Sequence, residues 1–182
     1  VGAGLVGSSM RSLLHAFART ERSTDRILIE ANSVLAADLE PGFFVSFLLI
    51  RINPESGEVF FTGAGHEHLV IYRAATNSCE KIMAGGVVLG ISENVEGKLQ
   101  EKPLTLDEGD MVVLYTDGAT EQTDARGEEF GINRIGQVVL SRGRQSPDEV
   151  VQTLFETIKR FKGPDRDADD DLTVVAFRKK SR

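Results

Sequence analysis

The chain has 182 residues with 41% apolar and 27% charged content, which is enough for one domain with a sizeable core. A formal net charge of -7 argues against a nucleic-acid partner held by phosphate contacts, and no apolar run approaches the ~20 residues that span a bilayer. A single cysteine, Cys79, excludes an internal disulfide framework and makes a reducing cytoplasm the default setting.

In chain order, residues 4 to 20 read as a helix, with Leu5, Val6, Met10, Leu13, Leu14 and Phe17 on one face. A second helix is expected from an N-cap at Ser23, through Ile27, Ala31, Val34, Leu35 and Leu39, to a stop at Pro41-Gly42. FFVSFLLIRI (43 to 52) is apolar on both strand faces, which predicts a strand covered on both sides. NPESG then turns the chain into EVFFTGAG, a hairpin. Short strands are expected near 68 to 74, 78 to 83, 98 to 106 and 111 to 116. Helices are expected at 133 to 142 and 147 to 161, the second with Ser146, Pro147 and Glu149 as a capping box. LTVVAF (172 to 177) closes the chain as a strand apolar on both faces. Helices, many antiparallel strands, helices and a strand, in that order, predict an α+β layered sandwich of sheets packed together with helices outside. One domain over residues 1 to 182 is expected.

Four chemical readings arise. GAGLVG (2 to 7) matches G-x-G-x-x-G, but no strand precedes it and the later strands look like meanders. Its plain reading is a helix whose small residues allow close packing. His66 and His68 sit at period two on a strand with no obvious third metal ligand, and Cys79 lies in a polar turn without a nucleophile motif. The fourth reading is the pair of acidic strand boundaries. VVLYT ends in Asp117, and DRDADDD (165 to 171) runs directly into LTVVAF. Asp165, Asp167 and Asp169 suit a solvated loop, whereas Asp170 and Asp171 abut a core strand. If the two strands are neighbours, Asp117 and Asp170 meet at one sheet end. Carboxylates gathered there repel one another unless a cation joins them. Mg²⁺ or Mn²⁺ prefers such oxygen ligands, and two ions ~4 Å apart serve phosphate-ester hydrolysis.

Several segments resemble, in order, the metal-dependent protein phosphatase (PPM, type 2C-like) superfamily in its bacterial SpoIIE/RsbU-type branch. They are VGAGLVGSSMRSLL, the hairpin FVSFLLIRINPESGEVFFTGAGHEHLVIYR, GGVVLGI, LDEGDMVVLYTDGATEQTDARGEEFG and DDLTVVAFR. The resemblance implies an αββα sandwich: two stacked antiparallel sheets flanked by helices. It implies a metal-dependent protein serine/threonine phosphatase in which Mn²⁺ or Mg²⁺, two ions in the complete site, activates a water against phosphoserine or phosphothreonine. Asp117 and Asp170 fall on metal-ligand positions, with Asp171 an adjacent candidate. Gly65, His66, Gly86 and Gly90 read as fold-supporting, and Gly118 as the residue that lets the chain turn away. The implied substrate is a phosphorylated regulatory protein of the anti-sigma-factor antagonist type, in bacterial stress signalling. Upstream sensor or receiver domains are implied, neither nucleic acid nor membrane is, and a homodimer is compatible. The family carries a Gly-Asp-x-x-Gly-x-Gly metal turn just before the segment matched by VGAG. This chain begins at Val1, so the expectation is an N-terminally incomplete phosphatase domain. The alternative is a catalytically inactive docking module of the same fold, a pseudophosphatase.

Overall fold

Apolar alternation broken by Gly- and Asn-containing turns favours meandering antiparallel strands, and two antiparallel sheets are what the chain builds. The structure is a computed structural model that describes residues 3–20, 23–40, 42–163 and 171–180. Its elements are α1 (Ala3–Phe17), α2 (Thr24–Asp38), β1 (Phe47–Ile52), β2 (Val59–Ala64), β3 (His66–Arg73), β4 (Ser78–Gly85), β5 (Lys102–Leu104), β6 (Met111–Tyr115), α3 (Asp117–Thr120), α4 (Gly131–Arg142), α5 (Pro147–Lys162) and β7 (Val174–Arg178). One sheet has the order β1-β2-β5 and the other β4-β3-β6-β7. Residues 1–67 with 84–105 form one compact unit, and 68–83 with 106–182 form another. The expected α+β architecture, two antiparallel sheets flanked by helices, is the one observed.

In the first unit, β1 and β2 pair from Phe47↔Ala64 to Ile52↔Val59. Their turn is tied by Asn53, whose Oδ1 accepts the N–H groups of Glu55 (2.9 Å) and Ser56 (3.2 Å). α2 packs on this hairpin and on α1. Met10, Leu28, Ala31, Leu35, Ala64, Leu89, Val95 and Leu99 form the core. Gly86 touches the backbone of β2: a Cβ there would lie 1.9 Å from the Gly63 carbonyl oxygen, at a φ of +78°. This gives physical content to the supporting role expected of that glycine.

Four local expectations are corrected. Residues 43 to 46 do not extend β1. Val45 instead exchanges two 2.9 Å backbone bonds with Leu89, and Phe43 (49% exposed) and Phe44 (59%) are not covered. The strand near 98 to 106 shortens to Lys102–Leu104. Gly4 and Gly7 do not serve close packing, because a Cβ on either would meet nothing within 4 Å. Ser23 holds the N-cap position of α2, yet its side chain makes no capping bond. The Glu101 carboxylate takes the Thr24 N–H instead (2.6 Å), together with the Thr24 hydroxyl (3.0 Å) and the Arg51 guanidinium (3.3 Å).

In the second unit, β6 lies between β3 and β7, with Met111↔Tyr72 and Val113↔Val70 on one side and Met111↔Arg178 through Tyr115↔Val174 on the other. Val70, Tyr72, Met111, Val113 and Tyr115 share a core with Ile135, Val139, Val150, Leu154 and Ile158 of α4 and α5. The expected capping box is present: Ser146 N–H donates to Glu149 Oε2 (2.8 Å), and Glu149 N–H returns to the Ser146 hydroxyl. β7 is an edge strand, so Val175 stays half exposed and the strand is not covered on both faces as expected.

The Asp110 carboxylate, 1% exposed, is the pillar at the start of β6. Burial acts to raise its pKa, but Arg73 (2.9 Å) and the N–H groups of Ala74 (2.8 Å) and Asp107 (3.1 Å) prevail and hold it below the usual carboxylate range. A carboxyl depressed in this way stabilises the fold above its unfolded pKa of about 3.9, and that contribution is lost as pH falls through the folded value. Asp110→Asn is expected to cost about 1–3 kcal/mol at neutral pH. It should also flatten the stability–pH profile below about pH 4, measured by urea unfolding across pH. Gly86→Ala is expected to cost about 3 kcal/mol or more, or to prevent folding, read from the urea midpoint.

Candidate functional site

The stretch YTDGAT converts a buried strand into an exposed acid within two residues. Met111, Val112 and Val113 are fully buried and Tyr115 nearly so, which anchors β6 along its length. Thr116 follows in an extended conformation (φ -84°, ψ 161°) and starts the single turn α3. Asp117 is the first residue of that turn and is exposed, whereas Gly118, Ala119 and Thr120 behind it are buried. Asp117 Oδ1 accepts the Gly118 N–H (2.9 Å), and its carbonyl accepts the Glu121 N–H (2.9 Å) and the Thr120 hydroxyl (3.1 Å). Gly118 is the second residue of the helical turn by which the chain leaves β6. Asp117 is clamped at its backbone and open at its carboxylate.

The strand that follows the second acidic boundary is the direct neighbour of β6. Beyond Tyr115↔Val174, Thr116 continues the ladder: its N–H donates to the Thr173 carbonyl (3.1 Å). Its hydroxyl donates to the Asp171 carbonyl (3.2 Å) and accepts the Thr173 N–H (3.1 Å). One threonine thus ties the residue before Asp117 to the backbone of Asp171, which is exposed. Asp170 lies outside the described residues, as do Asp165, Asp167 and Asp169. The bridging role of Thr116 was missed in the sequence. Its one local signal is a hydroxyl residue between a core strand and an acid.

The other acids of this region have structural tasks. Asp124 Oδ1 accepts the N–H groups of Arg126 (2.8 Å) and Glu128 (2.9 Å), which folds the loop after α3 into a tight turn. The Glu128 and then the Arg126 N–H bonds are the main causes that lower its pKa. Glu128 pairs with Arg134, and Phe130 is buried edge-on against Phe161 at 5.3 Å. Cys79 is half buried, and burial pushes its thiol up, opposite to what a nucleophile needs. No strand precedes α1 among the described residues, and the β1–β2, β2–β5, β3–β6 and β6–β7 pairings are antiparallel, so α1 with GAGLVG has no βαβ context there.

The donors offered at this sheet end are oxygens, the kind that Mg²⁺ and Mn²⁺ accept. Among the described residues, no group of three His, Cys, Asp or Glu gathers to hold a metal, which includes His66 and His68. Asp117 and Asp171 fit a hard divalent ion in chemistry and need further oxygen donors to complete its shell.

Comparison with known proteins gives consistent results. The sequence profile described as "Stage II sporulation protein E (SpoIIE)" matches residues 1–180. The phosphoserine phosphatase RsbU of Bacillus subtilis (strain 168) is 25% identical over 182 residues, 99% of this chain and 52% of the relative. The chain therefore spans about half the length of that relative. The SiaA-PP2C domain of Pseudomonas aeruginosa superposes with a TM-score of 0.81 at 21% identity, over 97% of this chain and 71% of that one. The phosphatase domain of SpoIIE from Bacillus subtilis, presoaked with Mn, superposes with a TM-score of 0.64 at 19% identity, over 95% and 74%. At these identities the structural likeness speaks for the fold.

Thr116→Val is expected to remove both hydroxyl bonds and loosen residues 171 to 173 while leaving the core intact. Hydrogen exchange at the Thr173 amide should quicken about fivefold, equivalent to about 1 kcal/mol for one lost bond. An unchanged amide would remove Thr116 from the site's architecture.

Proposed function

Because the chain belongs to the SpoIIE family, we propose that residues 1–182 are a PPM-type phosphatase domain that hydrolyses phosphoserine or phosphothreonine on a regulatory protein. The observation that carries this reading is the exposed Asp117, held by a buried strand and joined through Thr116 to the backbone of Asp171. Asp117 and Asp171, with Asp170, would hold Mn²⁺ or Mg²⁺. When bound, such ions supply Lewis-acid activation of water and positive charge for the phosphoryl oxygens. In the reaction, a water oxygen forms the new bond to phosphorus, the bond from the serine oxygen to phosphorus breaks, and the serine oxygen takes a proton. The protein's share is placement. The β6–β7 ladder brings Asp117 and Asp171 to one sheet end, and the turn behind Asp117 is buried while Asp117 itself is exposed.

The substrate in this reading is a phosphorylated protein of the anti-sigma-factor antagonist type, within bacterial stress signalling in the cytoplasm. No helix of the described residues is long and apolar enough to cross a membrane. Upstream sensor or receiver domains would control the activity. The full-length protein is expected to release phosphate from a phosphoserine protein only with Mn²⁺ or Mg²⁺ present, and Asp117→Asn to abolish that release while keeping the fold. An unchanged rate in Asp117→Asn refutes the assignment.

The alternative reading is a catalytically inactive docking module of the same fold, a pseudophosphatase. Calorimetric titration with Mn²⁺ separates the two: stoichiometric binding with turnover excludes the inactive module, and partner binding without metal supports it.

A further inference from the structure

At the sheet end away from Asp117, the second unit carries a cleft of about 440 Å³. Asn77 from the β3–β4 turn lines it, with Gln137, Leu140 and Arg142 from α4 and Arg144 and Gln145 from the α4–α5 loop. The five residues of β6, roughly 17 Å of strand, separate this end from Asp117. The chain's net charge is -7, yet no Asp or Glu lines the cleft.

The α4–α5 loop is held rigid from behind. Gly143 presses on the buried Tyr72 ring, where a Cβ would lie 2.1 Å from a ring carbon. Arg178 donates to the carbonyls of Gly143 and Gln145, both at 2.6 Å, and of Gly109 at 2.7 Å. The Gln145 N–H donates to the Arg142 carbonyl (2.8 Å). These bonds satisfy carbonyls near the helix C-terminus that would otherwise repel an anion.

The side chains facing the cleft differ from that backing. Arg142 and Arg144 are exposed, and neither forms an ion pair among the described residues. Glu149 feels the charge of Arg142, but its carboxylate is engaged by the Ser146 hydroxyl (2.7 Å) and N–H (2.8 Å). Asn77 Oδ1 accepts the Tyr72 hydroxyl (2.9 Å), which leaves the amide nitrogen as a donor. Leu140, 40% exposed, adds an apolar surface among these donors.

We propose that this cleft docks an acidic segment of a protein partner, with carboxylates on Arg142 and Arg144 and an apolar side chain on Leu140. Two forked guanidiniums match carboxylates, and their preset loop lowers the ordering cost of binding. A single phosphate would engage the arginines and leave Leu140 without a partner, so the polypeptide is favoured. The proposal stands apart from the phosphatase reading, because the cleft is separate from Asp117.

The test measures fluorescence anisotropy of a short fluorescein-labelled peptide, glutamates around a central leucine, with the full-length protein. Saturable binding that weakens with added salt is expected, about tenfold weaker in the double variant R142A/R144A. Arg160→Ala, which removes an exposed α5 arginine paired with Glu156, should leave binding unchanged. Asp117→Asn should bind like the wild type, so loss of phosphatase activity and loss of docking are read separately. The proposal is overturned if the wild type shows no saturable binding, or if Arg160→Ala weakens it as much as the double variant. It is also overturned if inorganic phosphate displaces the peptide as effectively as unlabelled peptide does.

Discussion

The ladder between β6 and β7 is the constraint on which the candidate site depends. β6 is buried along nearly its whole length, so a one-residue slip would exchange its two faces, and its register is strongly specified. That register sets Tyr115 opposite Val174, and Thr116 carries the pairing past the end of both strands. Two acids separated by more than fifty positions in sequence therefore flank one edge. Both residues are exposed, and the backbone beside them is held by the sheet. In the proposed reading such a position is preorganised, because little chain entropy would remain to be lost on binding a cation.

Acids within one continuous stretch, LDEGDMVVLYTDGATEQTDARGEEFG, divide their labour by burial. Asp110 is sequestered and surrounded by donors, so it braces β3 against the start of β6. Asp124 is exposed, and its carboxylate is consumed by its own loop. Asp117 has one oxygen engaged by the adjacent N–H, and its carboxylate remains open to solvent. The stretch reads as one acidic run, yet only position relative to the sheet end separates brace, turn and candidate ligand.

The first unit solves a related problem with buried polar groups. Asn32, fully buried on α2, accepts the Gly90 N–H (2.8 Å) and donates to the carbonyls of Ser92 (2.9 Å) and Glu93 (3.3 Å), which pins the loop after GGVVLG. Glu101 closes the N-terminus of α2 and joins it to β1 through Arg51. An unpaired polar group at either place would be costly, and a satisfied one specifies a single arrangement.

Features carried by near neighbours in the chain were legible in the sequence. The helices, the NPESG hairpin and the Ser146–Glu149 capping box depend on periodicity or on contacts three or four residues apart. Asp117 was legible as well, as an acid closing a core strand. What misled was long-range. Phe43 and Phe44 look like strand residues, but whether they pair depends on where β2 ends, and the chain leaves that sheet for Leu89 instead. Ser23 looks like a cap, yet a carboxylate 77 residues from Thr24 supplied the bond. By itself the sequence determined the α+β class, most elements and the acid at the strand end, because backbone propensity and side-chain period are local. The tertiary structure alone decided that Thr116 joins Asp117 to Asp171, that Asp110 is a brace, and that Arg142 and Arg144 line one cleft. Those depend on strand order and register, which no local window of residues contains.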